Sequence, residues 1–491
     1  MLSLKKIQSH PLIWTIALAS VVLFILSSLR HFLFQSTAFE LGIYDQVAYT
    51  ISQGQTPFSS FLEVHHLGNH AAWAMYPVGL FYKLFSSVYC LLFIQAVSLA
   101  MGAWPTWGLA RHAGLNERLS FAMAIVYLLY PVVFNINLFD FHPEVMAMPA
   151  ILGAILAARL DKVFWFCVAV IWVLGCKDAL SLPVAAMGFW LFFFDRKRRC
   201  GAIALFLGSA WFVIVTQAVI PAFKEGRGPG GLGRYTYLGD SIGDIILNML
   251  LRPDAVFARV FSPATFVYLL LLTAPIIWWL SFKYWMPLVG ALPVLMLNIL
   301  SVIDAQRDLI HQYSVPIVPF LLVSAIATLA DGKCGLWYFI WRKWVNKKEK
   351  GVENISNFIE FQLPKLMVVW SAIAFLALAK YGYFWTIYLD TLDTLPAMRE
   401  AVSLVKTKGG VLTTSEIAPH LSDRQLIKLT KDYDPPTDED LIEYDYVLLN
   451  LRYPGWKSNQ EFAAGLAARL QDIPDFELAY RRDDVYLFVK R

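Results

Sequence analysis

Charge is what this 491-residue chain has least of. Asp, Glu, Lys and Arg make up 16% of it, against 58% hydrophobic residues. An ordinary water-soluble globule carries about 25% charged residues, so the balance excludes that class. The net charge of +4 is small, and no nucleic-acid partner is implied. Cysteine is scarce as well. Cys90, Cys167, Cys176, Cys200 and Cys334 lie in or beside apolar segments, with no C-x-x-C pair. That excludes a disulfide framework and a zinc knuckle. There is no internal repeat, and no inverted-repeat signature of a secondary transporter.

What the chain does have is long apolar runs. A spanning helix needs about 20 mostly apolar residues. Eleven segments qualify: 11–33, 88–110, 119–138, 143–160, 162–178, 179–194, 200–221, 263–281, 284–302, 313–330 and 365–387. The first, in "MLSLKKIQSHPLIWTIALASVVLFILSSLRHF", reads as a signal-anchor helix with a basic start and no small-residue cleavage site. "AAWAMYPVGLFYKLF" (71–85) is short, holds Pro77 and Lys83, and reads as an interfacial helix. Charge then sets orientation. With Lys5 and Lys6 in the cytoplasm, the turns holding Arg111 and Arg118, Arg159 and Lys162, "RKRR" (196–199) and Lys283 face it too. So does the basic loop 331–364 with "WRKWVNKKEK" (341–350), whereas the short outer turns hold only Arg307.

The expectation is a polytopic α-helical protein of the cell membrane with about 11 spans and a cytoplasmic N-terminus. Its transmembrane domain covers 1–387, with a first outer loop at 34–87 and a large outer loop at 222–262. A small soluble α/β domain at 388–491 lies beyond the membrane. Within it, "GGVLTTSE", "YDYVLLNL" and "DDVYLFVKR" read as strands, and "QEFAAGLAARLQDI" as an amphipathic helix.

Ionisable residues gather on the outer side. The first loop carries Glu40, Asp45, His66 and His70. "LFDFHPE" carries Asp140, His142 and Glu144, and "GCKDAL" carries Lys177 and Asp178. "KEGRGPGGLGRYTYLGD" carries Arg227 and Arg234, and "IDAQRDLIHQY" carries Arg307, His311 and Tyr313. Such groups at membrane depth are costly and mark function. Five turns bringing them to one side imply an active or binding site at the outer leaflet. Each piece also has a plainer reading. His66 and His70, at i and i+4, share a helix face as metal ligands do, or hydrogen-bond structurally. Asp140, His142 and Glu144 could hold a divalent cation such as Mg or Mn, or cap the helix that opens at Pro143. Lys177 and Asp178 could be a local charge pair. The Gly-rich stretch lacks a Walker ending and reads as a flexible lid, with Arg227 and Arg234 able to grip a diphosphate. Asp45 is the candidate general base, able to take a proton from an acceptor hydroxyl. The apolar Leu41, Tyr44, Val47, Ala48 and Ile51 around it fit a helix lying on the membrane, where Asp45 could equally be a surface charge.

"FELGIYDQ", "HHLGNH", "FDFHPE", "KDA" and "HQYSVPIVPFL" follow one another across roughly 38–330. Together they resemble a family of predicted bacterial and archaeal membrane proteins defined by a domain of unknown function. The family pattern has Asp at Glu40 and commonly an acid at Lys177; Asp45, His70, Asp140, His142 and His311 match it. That family is similar in layout to GT-C glycosyltransferases. These are multi-span enzymes with an essential acid in a long first outer loop and juxtamembrane helices before the second span. "APHLSDR" (418–424) resembles the start of their soluble tails. The resemblance implies transfer of a sugar from a polyprenyl-phosphate-linked donor to an acceptor on the outer face. Asp45 would be the base. Glu40, His66, His70, Lys177, Asp178, His311 and Tyr313 would line the substrate site. Arg227, Arg234 or Arg307 would neutralise the phosphate, and Asp140, His142 and Glu144 would hold a cation if one is used. Two other classes stay open: a lipid or solute transporter (flippase), and a non-enzymatic assembly protein acting through its tail. A transporter needs charges in mid-helix and a path to both sides; charges at outer helix ends favour the enzyme.

Overall fold

The computed structural model describes residues 11–332, 335–338 and 358–491. The basic run 341–350 and Cys334 lie outside these residues. Among the described residues, six helices are long and apolar enough to cross a membrane. They are Pro11–Phe32, Val88–His112, Glu117–Leu138, Arg198–Phe223, Val318–Tyr338 and Glu360–Leu378. A seventh is added if Pro253–Val260 and Pro263–Trp279, bent by 49°, count as one span. The count of eleven is not reached, because the other expected spans are short. Glu144–Arg159 has 16 residues, Val163–Cys176 14, Ser181–Phe193 13 and Leu292–Leu300 nine. At about 1.5 Å per residue they reach only ~14–24 Å. Tight 3₁₀ turns at Ala274–Trp279 and Met286–Gly290, each with a proline in its first turn, interrupt the apolar runs that hydropathy joins. The stretch 71–85 holds the eight-residue helix Met75–Tyr82, too short to cross, as expected.

Lipid is as apolar as a helix flank, so helices in a membrane associate through close approach. Ser181–Phe193 and Arg198–Ile214 show this. A Cβ on Gly188 would stand 2.2 Å from Leu205 N, and one on Gly208 2.5 Å from Ala185 N. The loop 222–262, expected as a flexible lid, carries a defined turn and two helices. Its glycines form the turn Gly230–Tyr235, held by the Tyr235 and Tyr237 hydroxyls, each donating at 2.9 Å to the carbonyls of Leu297 and Leu300. The helices Ile242–Leu251 and Pro253–Val260 follow, with Ile246, Leu247, Leu250, Leu251 and Phe257 all exposed.

Strands β1 (Phe58–Ser59) and β2 (Val64–His65) form an antiparallel ribbon in the first loop. The C-terminal region holds a five-stranded sheet: β3 (Val411–Thr413), β4 (Ile427–Leu429), β5 (Tyr446–Asn450), β6 (Phe476–Arg482) and β7 (Val485–Lys490). Their order is β4-β3-β5-β7-β6; β4, β3 and β5 run parallel, and β7 pairs antiparallel with β5 and β6. The three strands and the helix expected from the sequence are β3, β5, β7 and Gln460–Asp472. β4 is three residues long and β6 is mostly exposed, so neither carries a clear apolar pattern.

This sheet rests on the loop that follows the first span. Phe34, Ala38, Ile43 and Phe61 share one core with Met398, Ile417, Leu448 and Leu487. His420 lies between the rings of His31 and Phe34, at 3.9 and 3.7 Å. Buried Gln46 ties the two parts. Its Nε2 donates to Ser60 Oγ at 2.7 Å and to the carbonyls of Arg424 and Gln425 at 3.2 and 3.0 Å; its Oε1 accepts from Ser60 N at 2.9 Å. Gln46→Ala strands these groups without water. We expect a loss of about 1–3 kcal/mol in thermal stability and faster proteolytic release of the C-terminal region. An unchanged melting curve contradicts this docking role.

Candidate functional site

The first span carries a buried arginine, Arg30, at its end. Its guanidinium pairs with Asp140 in the turn after Pro131–Leu138. Asp140 sits at φ 70°, a left-handed geometry that Asp tolerates. Its other oxygen accepts from Thr37 N at 2.9 Å. One carboxylate therefore fixes both the helix end and the start of the loop. Immediately after, residues Ala38–Gly42 form a π-helical turn running into Ile43–Ser52.

That turn aims Glu40 at the turn before Glu144–Arg159, where its Oε2 lies 2.8 Å from Nε2 of His142. The His142 side chain is 1% exposed and that of Glu40 26%. Burial alone lowers the pKa of His142, but the Glu40 and Glu144 carboxylates outweigh it and the net direction is up. Glu144, on the next helix, is buried against the Lys177 ammonium. Beyond Lys177, Asp178 Oδ1 lies 3.1 Å from His70 Nδ1. Gly68 makes that position possible: a Cβ there would fall 2.5 Å from the Phe223 carbonyl. On the other side, the Phe139 ring stacks on His142 at 5.3 Å and meets His311 edge-on at 4.3 Å. His311 in turn pairs with Asp308 at 2.6 Å. The guanidinium of Arg234 lies 5.1 Å over the Tyr313 ring.

Glu40, His70, His142, Glu144, Lys177 and Asp178 are thus one contiguous set of pairs, with His311 and Tyr313 at its edge. Other expected members fall elsewhere. Asp45 is not with them. It is buried at the sheet interface, 2% exposed, accepting from Tyr82 Oη at 2.8 Å and Ser422 Oγ at 2.7 Å, away from the cluster. His66 and His70 are i and i+4 of the short helix His66–His70, as expected, but they take different partners: His66 Nε2 is 2.9 Å from the Ala72 carbonyl, where it orders the turn. Asp140, His142 and Glu144 do not converge on a cation. Each is committed to a different partner, and among the described residues no group of three or more His, Cys, Asp or Glu is placed to hold a metal. Arg227 is exposed beside Glu225. Arg307 pairs with Asp304 and lines a separate cavity of about 470 Å³ with Tyr237 and Arg259. Arg30 was missed, although a cation at the end of an apolar run is a sequence signal in itself.

This helical bundle, with charges paired at one end and a small mixed sheet docked on it, resembles GT-C membrane proteins in fold. The fold is similar to that of ArnT from Cupriavidus metallidurans in its complex with undecaprenyl phosphate. The TM-score is 0.54 at 11% identity, over 97% of each chain. The apo ArnT structure gives 0.50 at 10% identity, over 96% of this chain and 98% of that one. The chain belongs to the DUF2079 family of predicted membrane proteins, whose model matches residues 30–487. No curated protein sequence matches it.

Two outcomes follow from the pairing. Lys177→Met leaves the Glu144 carboxylate buried alone, which should cost about 3–5 kcal/mol of stability; adding Glu144→Gln should recover most of it. Melting in detergent of the two variants checks this, and no recovery in the double variant contradicts the pair. Asp45 gives a pH dependence. Burial pushes its carboxyl up from 3.8 to about 7, against the hydrogen bonds from Ser422 and Tyr82. The fold favours the neutral acid, so this stabilisation is complete below the ordinary pKa and fades as pH rises through about 7. Relative to the native chain, Asp45→Asn should gain melting temperature as pH rises from 4 to about 8. A constant difference across that range contradicts a buried neutral Asp45.

Proposed function

We propose that the protein transfers a sugar from a polyprenyl-phosphate-linked donor to an acceptor hydroxyl on the outer face of the membrane. The N-terminus then lies in the cytoplasm and the sheet domain outside. The observation that carries this reading is Glu40. It is the most exposed of the cluster's carboxylates Glu40, Glu144 and Asp178, in the loop after the first span, beside His142. The fold likeness to ArnT, whose structure holds undecaprenyl phosphate, supports a lipid-phosphate donor.

Glu40 replaces Asp45 as the base. In the transfer, the acceptor oxygen forms the new bond to the anomeric carbon and gives its proton to Glu40. The bond from that carbon to the phosphate oxygen breaks, and the electron pair leaves with the phosphate. His142, 2.8 Å away, holds the Glu40 carboxylate in place for that proton. The departing phosphate gains negative charge. Arg234, stacked on Tyr313 with no carboxylate partner among the described residues, supplies positive charge for it, with Lys177 close by. The donor set does not fit a divalent cation, and no step is assigned to one.

The test is transfer by the protein in nanodiscs, with polyprenyl-phosphate-linked hexoses and pentoses as donors. Glu40→Gln should lower the rate by roughly 10²–10⁴-fold with folding and lipid-phosphate binding intact. Asp45→Asn should retain transfer. Native-like turnover in Glu40→Gln sinks the assignment.

A further inference from the structure

β3 and β5 are parallel neighbours, so their carboxyl ends open on the same side. In such sheets, ligands bind in the crevice beyond those ends. Here the crevice lies between 414–416, after β3, and 451–459, after β5. The first outer loop closes it: Ala38 N donates to Ser415 O at 3.0 Å, and the Phe39 ring meets Trp456 edge-on at 5.0 Å.

Two features of this crevice are not explained by packing of the sheet. The first is its rim. Trp456 and Tyr433 are 59% and 63% exposed, and neither belongs to the cores on the two faces of the sheet. The Lys457 ammonium stands between the rings, 4.2 Å from Phe39, 4.5 Å from Trp456 and 5.9 Å from Tyr433. The second is its floor. Thr414 Oγ1, Ser415 Oγ, Glu416 Oε2 and Ser458 Oγ are buried oxygens with no hydrogen-bond partner. Leaving such an atom unmet costs about 1–3 kcal/mol, so four along these two short segments mark where water or a ligand's hydroxyls are taken up. The segment covering them contains two residues in left-handed geometry, Gly455 at φ 79° and Lys457 at φ 72°. Gly455 is required there, since a Cβ would fall 2.2 Å from Glu416 Oε2.

We infer that this crevice is a carbohydrate-binding subsite. The C–H face of a sugar ring stacks on Trp456, and its hydroxyls meet Glu416, Ser458 and the Lys457 ammonium as the segment Gly455–Lys457 lifts. Exposed aromatic faces beside a few unmet polar groups are the composition such sites need. Phe39 directly precedes Glu40, so the rim of this crevice is joined through one peptide bond to the residue proposed as the base. The role as acceptor subsite rests on the transfer reaction proposed above; the binding does not.

The experiment is saturation-transfer NMR on the full-length protein in nanodiscs, with methyl glycosides of hexoses, pentoses and N-acetylhexosamines. At least one should receive saturation. Trp456→Ala and Glu416→Gln should each weaken it about tenfold with unchanged melting behaviour. Glu40→Gln should bind as the native chain does while failing to transfer, which separates this subsite from the chemistry. Equal binding in Trp456→Ala and Glu416→Gln, or no saturation of any glycoside, overturns the inference.

Discussion

Arg30 and Asp140 are taken out of water together, and the charged end of the protein is built around that necessity. A lone charge at this depth would be neutralised or expelled; a pair persists only if both groups are held. Holding them stops the first helix at a defined height and fixes the turn that precedes Glu144. Asp140 also bonds Thr37 N, so the chain leaves the helix in one direction. His142, two residues along, is then where Glu40 can reach it. The pairs Glu144–Lys177 and Asp178–His70 continue the same logic across two more helices.

The loop that follows the first span works in two directions. Glu40 and Asp45 are five residues apart, which puts them about 140° apart around a helix. One therefore turns to the charged cluster and the other to the sheet domain, where Tyr82 and Ser422 enclose it. Movement of the sheet domain would pass directly to Glu40, because Ala38, Ile43 and Gln46 bind the sheet from the same short segment. The docked domain is thus tied to the cluster through this one segment.

The extent to which the sequence foretold this varies with how local the signal is. Apolar runs marked the long helices, and alternating residues marked β3, β5 and β7. The meeting of carboxylates and imidazoles at one end was also legible, because cost forces such residues to the same side of a membrane. Three things were not. Hydropathy averages over 3₁₀ turns, so short helices such as Leu292–Leu300 read as full spans. Partners far along the chain are invisible to spacing: Asp45 looks available until Ser422, 377 residues away, closes over it. Adjacent residues in "DFHPE" look like a ligand set, yet a turn fans their side chains toward Arg30, Glu40 and Lys177.

The most direct measurement is an electron cryomicroscopy map of the protein in nanodiscs with a non-transferable polyprenyl-phosphate sugar bound. The phosphate should lie against Arg234 and Lys177, with the sugar facing Glu40 and Asp45 still enclosed beneath the sheet. A lipid phosphate seated away from those cations, with Glu40 turned from the sugar, contradicts the account.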